Sequence, residues 1–144
     1  MENGKILVVE DQDAMRESLV IAFRDEGYQV EGVASGEEAI QKLDSHNVYD
    51  LVVTDLKMKK VDGLEVLKAV KAANPSTEVV LITAYGTIST AVQAIRDGAY
   101  DYVTKPFRHQ ENLKVAKKAI EKKSLKDRVR YLEGEIRDKY KFEG

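Results

Sequence analysis

The chain has 144 residues, 43% hydrophobic and 33% charged, enough for one packed domain and a short extension. Lys and Arg number 23 against 25 Asp and Glu, and the net charge of -2 gives no global case for nucleic-acid binding. The lack of cysteine excludes disulfides and thiolate metal sites, no apolar run approaches a membrane span, and the polar start Met1-Glu2-Asn3-Gly4-Lys5 offers no signal peptide, so the expected location is cytoplasmic.

Ile6-Leu7-Val8-Val9 is a continuous apolar run, as an interior parallel strand is, and it ends on Glu10 and Asp11. A helical pattern near 14–26 follows, with Met15, Leu19, Ile21, Ala22 and Phe23 at helical spacing and Gly27 as its stop. Gln29-Val30-Glu31-Gly32-Val33 alternates polar and apolar residues, as an edge strand does. A helix over 36–46 carries Ala39, Ile40 and Leu43 on one face. Leu51-Val52-Val53-Thr54 then runs into Asp55, a buried strand delivering a carboxylate to its end. The next helix, 64–73, carries Leu64, Leu67 and Val70 and stops at Asn74-Pro75. Val79-Val80-Leu81-Ile82-Thr83 is a third continuous apolar run. A helix over 88–97 with Ile88, Ala91, Val92 and Ile95 ends at Gly98, and Asp101-Tyr102-Val103-Thr104 leads to Lys105.

From about 109 onward the pattern is helical to the end. Leu113, Ala116 and Ile120 make a stripe facing the sheet; Leu125, Val129, Leu132 and Ile136, spaced by four, three and four, make a second. The second is an a/d seam about two heptads long. The phase change between Ile120 and Leu125 marks where the helix leaves the domain for another partner. The expected division is therefore a domain over 1–123 and a helical, coiled-coil linker over 124–144.

Strict strand–helix alternation requires right-handed crossovers and a parallel sheet with helices on both faces. The expected architecture is α/β: a flavodoxin-like, doubly wound five-stranded parallel sheet of order 2-1-3-4-5 with an extended C-terminal helix. That order places the switch point between the first and third strands, whose carboxyl ends are Glu10-Asp11 and Asp55. Three carboxylates so close cannot all ionise at neutral pH unless a cation joins them. With oxygen donors alone, Mg²⁺ is favoured, and Mn²⁺ is an alternative. Thr83 adds a hydroxyl at the end of the fourth run and Lys105 an ammonium after the fifth. Each residue alone has an ordinary explanation: a solvated strand end, a helix cap, a surface lysine. Their joint arrival at one edge points to phosphoryl transfer, with Asp55 as the nucleophile. A flavin-type phosphate loop is not found in Gln12-Asp13-Ala14-Met15. A haloacid-dehalogenase-type phosphatase wants a second aspartate where Lys57 stands. An interaction module that is never phosphorylated stays open.

Ile6 to Asp11, Asp55 with Met58 and Asp62-Gly63-Leu64, Thr83-Ala84, and Lys105-Pro106-Phe107 together resemble the CheY-like receiver domain of two-component response regulators, over about residues 4–123. The resemblance implies that Asp55 accepts phosphate from a sensor histidine kinase, and that Asp11, Asp55 and the main-chain carbonyl of Lys57 coordinate Mg²⁺, Glu10 acting through water. It implies that Thr83 and Lys105 contact the phosphoryl oxygens, that Tyr102 is a switch aromatic swinging inward as Thr83 moves, and that Lys105–Pro106 is a cis bond. Activity would be self-catalysed phosphorylation and dephosphorylation, not enzymatic turnover. Thr83-Ala84-Tyr85-Gly86-Thr87 and the stretch Gly98 to Phe107 are similar to NtrC-type regulators, which activate sigma-54 RNA polymerase through an AAA+ ATPase. The segment from Leu132 to Gly144 resembles the linker preceding that ATPase, and no Walker A pattern is present. The implied partners are the kinase, a second copy paired in parallel through Leu125 to Ile136, the AAA+ and DNA-binding domains, and the polymerase; direct contact of this segment with nucleic acid or membrane is not expected. One departure is Lys59, where the family usually has proline, which makes the loop after Asp55 more basic and less constrained.

Overall fold

Strands and helices alternate without exception along the described part of the chain, a computed structural model covering residues 4–43, 47–84, 87–105 and 109–143, with side chains of the last helix described over 110–135. The strands are β1 (Lys5–Val9), β2 (Gln29–Val33), β3 (Leu51–Asp55), β4 (Glu78–Thr83) and β5 (Asp101–Thr104). The helices are α1 (Asp13–Asp25), α2 (Gly36–Lys42), α3 (Gly63–Ala73), α4 (Ile88–Arg96) and α5 (His109–Glu143). All pairings are parallel and the order is β2-β1-β3-β4-β5, as expected from the alternation. Val9 pairs with Thr54, Asp55 with Ile82, and Thr83 with Thr104. That register aligns the last residues of four strands along one edge.

The two-residue period of the strands splits the core into two layers. Leu7, Val9, Val52 and Leu81 face α2, α3 and α4 through Ala39, Val66, Leu67, Val70 and Ala94. Ile6, Val8, Leu51, Val53, Val80 and Ile82 face α1 and α5 through Leu19, Phe23, Ala116, Ala119 and Ile120. Each buried Val, Leu, Ile or Phe among them contributes roughly 1.5–3 kcal/mol by leaving water, so the sheet edge rests on a stiff platform.

The starts of α2, α3 and α4 are set by side-chain caps. Ser35 accepts from Glu38 N–H, Asp62 from Glu65 N–H, and Thr87 forms a reciprocal capping box with Thr90. Helix α2 ends at Lys42, short of the expected 46: Leu43 turns to extended backbone and Asn47 Nδ2 donates to the Lys42 carbonyl at 3.0 Å. The rest of that expected span, 44–46, lies outside the described residues. Helix α5 runs unbroken past residue 123. What changes there is its surroundings: Ala119 and Ile120 are buried, whereas Leu125, Val129 and Leu132 are exposed. The fourth member of the expected seam, the Ile136 side chain, lies outside the described residues. Among the described residues no helix is long and apolar enough to cross a membrane.

Candidate functional site

The carboxyl edge gathers its polar groups where the strand order reverses, between β1 and β3. Glu10 follows β1; its N–H donates to the Val33 carbonyl at 3.1 Å, and its side chain turns inward, leaving the residue 2% exposed. Asp11, next in the chain, stays exposed at the mouth. Asp55, the last residue of β3, is half-buried beside them. One carboxylate oxygen from each of Glu10, Asp11 and Asp55 lies within 4.8 Å of the others. Lys105 enters from the end of β5: its N–H donates to the Thr83 carbonyl at 2.8 Å, its Nζ donates to Glu10 Oε1 at 2.9 Å, and Asp55 Oδ2 stands 3.6 Å away.

The charges are unbalanced. Partial burial acts to lower the Lys105 pKa, but the hydrogen bond to Glu10 and the charges of Asp55 and Glu10 outweigh it, so the ammonium is held above its usual value. Desolvation, followed by the hydrogen bond and charge of Glu10, pushes the Asp11 carboxyl up. Among the described residues, three carboxylates thus face one ammonium in an all-oxygen pocket. Repulsion relieved by a single lysine, with carboxylate oxygens at bridging separation, fits a hard divalent cation that keeps several waters.

The remaining expected residues are placed as follows. Thr83 ends β4 with its side chain fully buried. Tyr102 is half-buried on β5, its hydroxyl 3.1 Å from Thr90 Oγ1 in the capping box of α4. Lys57 sits two residues beyond Asp55 with its side chain exposed. Tyr85 and Pro106, and with Pro106 the expected cis bond, lie outside the described residues. Leu125, Val129 and Leu132 stand apart from the pocket on the far half of α5.

Two contributors were not read from the sequence as parts of the site. A Cβ on Gly63 would lie 2.4 Å from the Asp55 carbonyl oxygen and 2.9 Å from Leu56 Cα, so only glycine lets α3 begin against the end of β3. The Asp-Gly pair at 62–63 was its signal. Arg16 donates from one guanidinium nitrogen to the Glu10 carbonyl at 2.9 Å while the other pairs with Asp13 at 2.6 Å, pinning the turn after β1. Beside Asp11 a cleft of about 350 Å³ is lined by Ser35, Glu37, Met58, Lys59 and Lys60. Its floor includes a tight turn: Val61 N–H donates to the Lys59 carbonyl at 2.8 Å and Lys60 takes φ +62°, the rarer hand of γ-turn. A larger groove, about 710 Å³ between Tyr28 and α5, is remote from these carboxylates.

Comparison with known proteins agrees with this arrangement. The family model described as the response regulator receiver domain matches residues 6–117. The regulatory protein AtoC of Escherichia coli is 36% identical over 130 residues, covering 90% of this chain and 28% of AtoC. The chain therefore spans under a third of the length of that relative. NtrX from Brucella abortus, solved in complex with ATP, superposes with a TM-score of 0.82 at 34% identity, over 90% of this chain and 30% of NtrX. The beryllofluoride-activated NtrC4 receiver domain dimer gives 0.77 at 32% identity, over 83% of this chain and 98% of that one. Fold, acidic edge and sequence likeness coincide over the same residues: the chain belongs to the response regulator receiver domain family of two-component systems, and its relatives include regulators of the NtrC type.

Proposed function

We propose that this receiver takes a phosphoryl group onto Asp55 from the phosphohistidine of a sensor kinase and changes its pairing with a second copy in response. The observation that carries the proposal is the grouping of Asp55 with Glu10 and Asp11 within 4.8 Å, next to Lys105 at 3.6 Å. A carboxylate oxygen of Asp55 attacks phosphorus, the P–N bond breaks, and the imidazole leaves as the phosphoryl group settles on Asp55. Asp11 and Asp55, with the Lys57 carbonyl and with Glu10 through water, would hold Mg²⁺, which supplies positive charge to the transferring oxygens. Lys105 is already beside the carboxylate and meets a new oxygen without rearranging the backbone. The Thr83 hydroxyl closes on another. Donors fixed in advance on strand ends stabilise charge as it develops, without reorganisation.

The aspartyl phosphate carries about -1.5 to -2 charge where the carboxylate carried about -1, so the pocket becomes more negative. In this reading Thr83 moves toward it, Tyr102 gives up Thr90 and turns inward, and the capping box of α4 is disturbed. The α4–β5–α5 surface, where Ile88, Val92 and Ile95 are exposed, then changes its pairing. Residues 124–144 act as a parallel linker through Leu125, Val129, Leu132 and Ile136, and the assembled protein controls an AAA+ ATPase acting on sigma-54 RNA polymerase. The NtrC-type relatives support this last step.

Beryllofluoride with Mg²⁺ tests the reading, because it mimics the aspartyl phosphate. Bound ¹⁹F resonances that need both Mg²⁺ and Asp55, together with a shift in sedimentation coefficient, are expected. Resonances that persist in Asp55→Asn, or no bound signal at all, would contradict the assignment. An unchanged sedimentation coefficient would remove the pairing switch alone.

A further inference from the structure

Charged groups also meet at the amino edge of the sheet, where no step at Asp55 uses them. Glu78, the first residue of β4, is 1% exposed. Its Oε1 accepts a hydrogen bond from Lys126 Nζ, and Lys122 Nζ lies 4.0 Å from Oε2. Beside it Asp50, just ahead of β3, accepts the Lys5 backbone N–H through Oδ2 at 2.7 Å, and its Oδ1 is 3.2 Å from Lys123 Nζ. Lys123 is itself buried and pairs also with Asp127 on its own helix. The packing around Asp50 is close: a Cβ on Gly4 would come within 3.2 Å of Asp50 Oδ2 and of Ile120 Cγ2. From α3, Lys71 donates to the Thr77 carbonyl at 2.7 Å, where the charge of Glu78 reaches it.

These partners sit where α5 clears the sheet. Apolar docking of the helix ends at Ile120; Lys122, Lys123 and Lys126 carry the contact on; from Leu125 the apolar residues turn to solvent. A buried carboxylate is tolerated only while its partners stay in place, and both ammonium groups paired with Glu78 belong to α5. Burial of Glu78 therefore ties one position of the helix to the start of β4. We infer that Glu78 and Asp50, gripping Lys122, Lys123 and Lys126, form an ionic clasp that fixes the direction in which α5 leaves the domain, so that residues 128–143 form a rigid arm and not a tether. At 1.5 Å per residue the arm is about 24 Å of helix. Glu78 is then a positioning residue for the output helix. The consequence, that arms of two copies meet at a set angle and report a change in domain pairing, rests on the function proposed above; the clasp itself does not.

The chain lacks cysteine, so Glu17→Cys and Arg130→Cys, both at exposed positions, accept two spin labels without background labelling. Pulsed-EPR distances are measured in labelled protein diluted with unlabelled protein, so that only pairs within one chain contribute. A single narrow distribution is expected, with at least a doubling of its width in Glu78→Gln while cooperative melting persists. Should Glu78→Gln fail to fold, Lys126→Met, a partly exposed position that leaves Lys122 facing Glu78, must broaden the distribution instead. A broad distribution in the unmodified background, or an unchanged width in a folded variant, overturns the clasp. Acetyl phosphate labelling of the same samples separates the two proposals, since a loss of labelling in every sample would strike at the function of Asp55 and leave the distance result standing.

Discussion

The two edges of this one sheet pose opposite charge problems. At the carboxyl edge, among the described residues, Glu10, Asp11 and Asp55 share a single ammonium, Lys105, and the mouth is open at Asp11. At the amino edge Glu78, Asp50 and Asp127 meet Lys122, Lys123 and Lys126, closed between a strand and a helix. Both edges hold a nearly inaccessible glutamate, so burial of a charge does not by itself mark chemistry. Imbalance at an open edge does, because the missing charge can be supplied by a ligand. The balanced edge is built to hold, the unbalanced one to receive.

That contrast can be broken at several places. The largest effect is expected from Gly63→Ala, whose new methyl would overlap the Asp55 carbonyl; a loss of about 2–3 kcal/mol in urea unfolding follows from overpacking against backbone. A loss below about 1 kcal/mol would mean that the strand end can give way. Lys105→Met leaves Glu10 buried without this ammonium and should cost about 1–3 kcal/mol in metal-free buffer. With one fewer positive charge the pocket should respond more strongly to Mg²⁺, so its Tm gain on adding metal should exceed that of the unaltered chain. Lys126→Met at the other edge should leave the Mg²⁺ response untouched. Equal metal responses in the two variants would erase the distinction between the edges.

Tyr102→Phe removes the hydroxyl contact with Thr90 and should cost about 0.5–1 kcal/mol, read in thermal melts, with phosphorylation of Asp55 still proceeding. The smallest effect is in pH. At Lys123 burial acts to lower the pKa, but the hydrogen bond to Asp127 and the charge of Asp50 prevail and hold it above 10.5. Its contribution is complete below the unfolded-state value and is lost as pH rises through the folded-state value. Stability should therefore stay level toward pH 10 as far as this lysine is concerned and decline slightly above about 10.5. In Lys123→Met that part of the alkaline decline should be missing from denaturant titrations.

Much of the carboxyl edge was legible because its signals are local and additive. Continuous apolar runs ending in Glu10, Asp55 and Thr83 state both that a strand is central and where it stops; β2 and β5 fall on their expected residues. Once the order 2-1-3-4-5 follows from alternation, those ends must converge. Arg16 escaped notice because its target is a backbone carbonyl, which carries no residue identity. The overrun of α2 has a similar origin: the cap comes from Asn47, beyond the expected end, and no periodicity reveals it. The amino edge was the least readable. Glu78 opens an apolar run and looks like a solvated strand start, while Lys122 and Lys126 look like exposed charges on a lysine-rich helix. Only tertiary docking turns them toward one another.

The most direct measurement is intact-mass analysis after incubation with acetyl phosphate and Mg²⁺, comparing the unaltered chain with Asp55→Asn. The expected result is the mass of one added phosphoryl group on the unaltered chain, abolished by chelating the metal and absent from Asp55→Asn. A mass gain in both proteins, or in neither, would contradict the assignment of Asp55 as the phosphoacceptor.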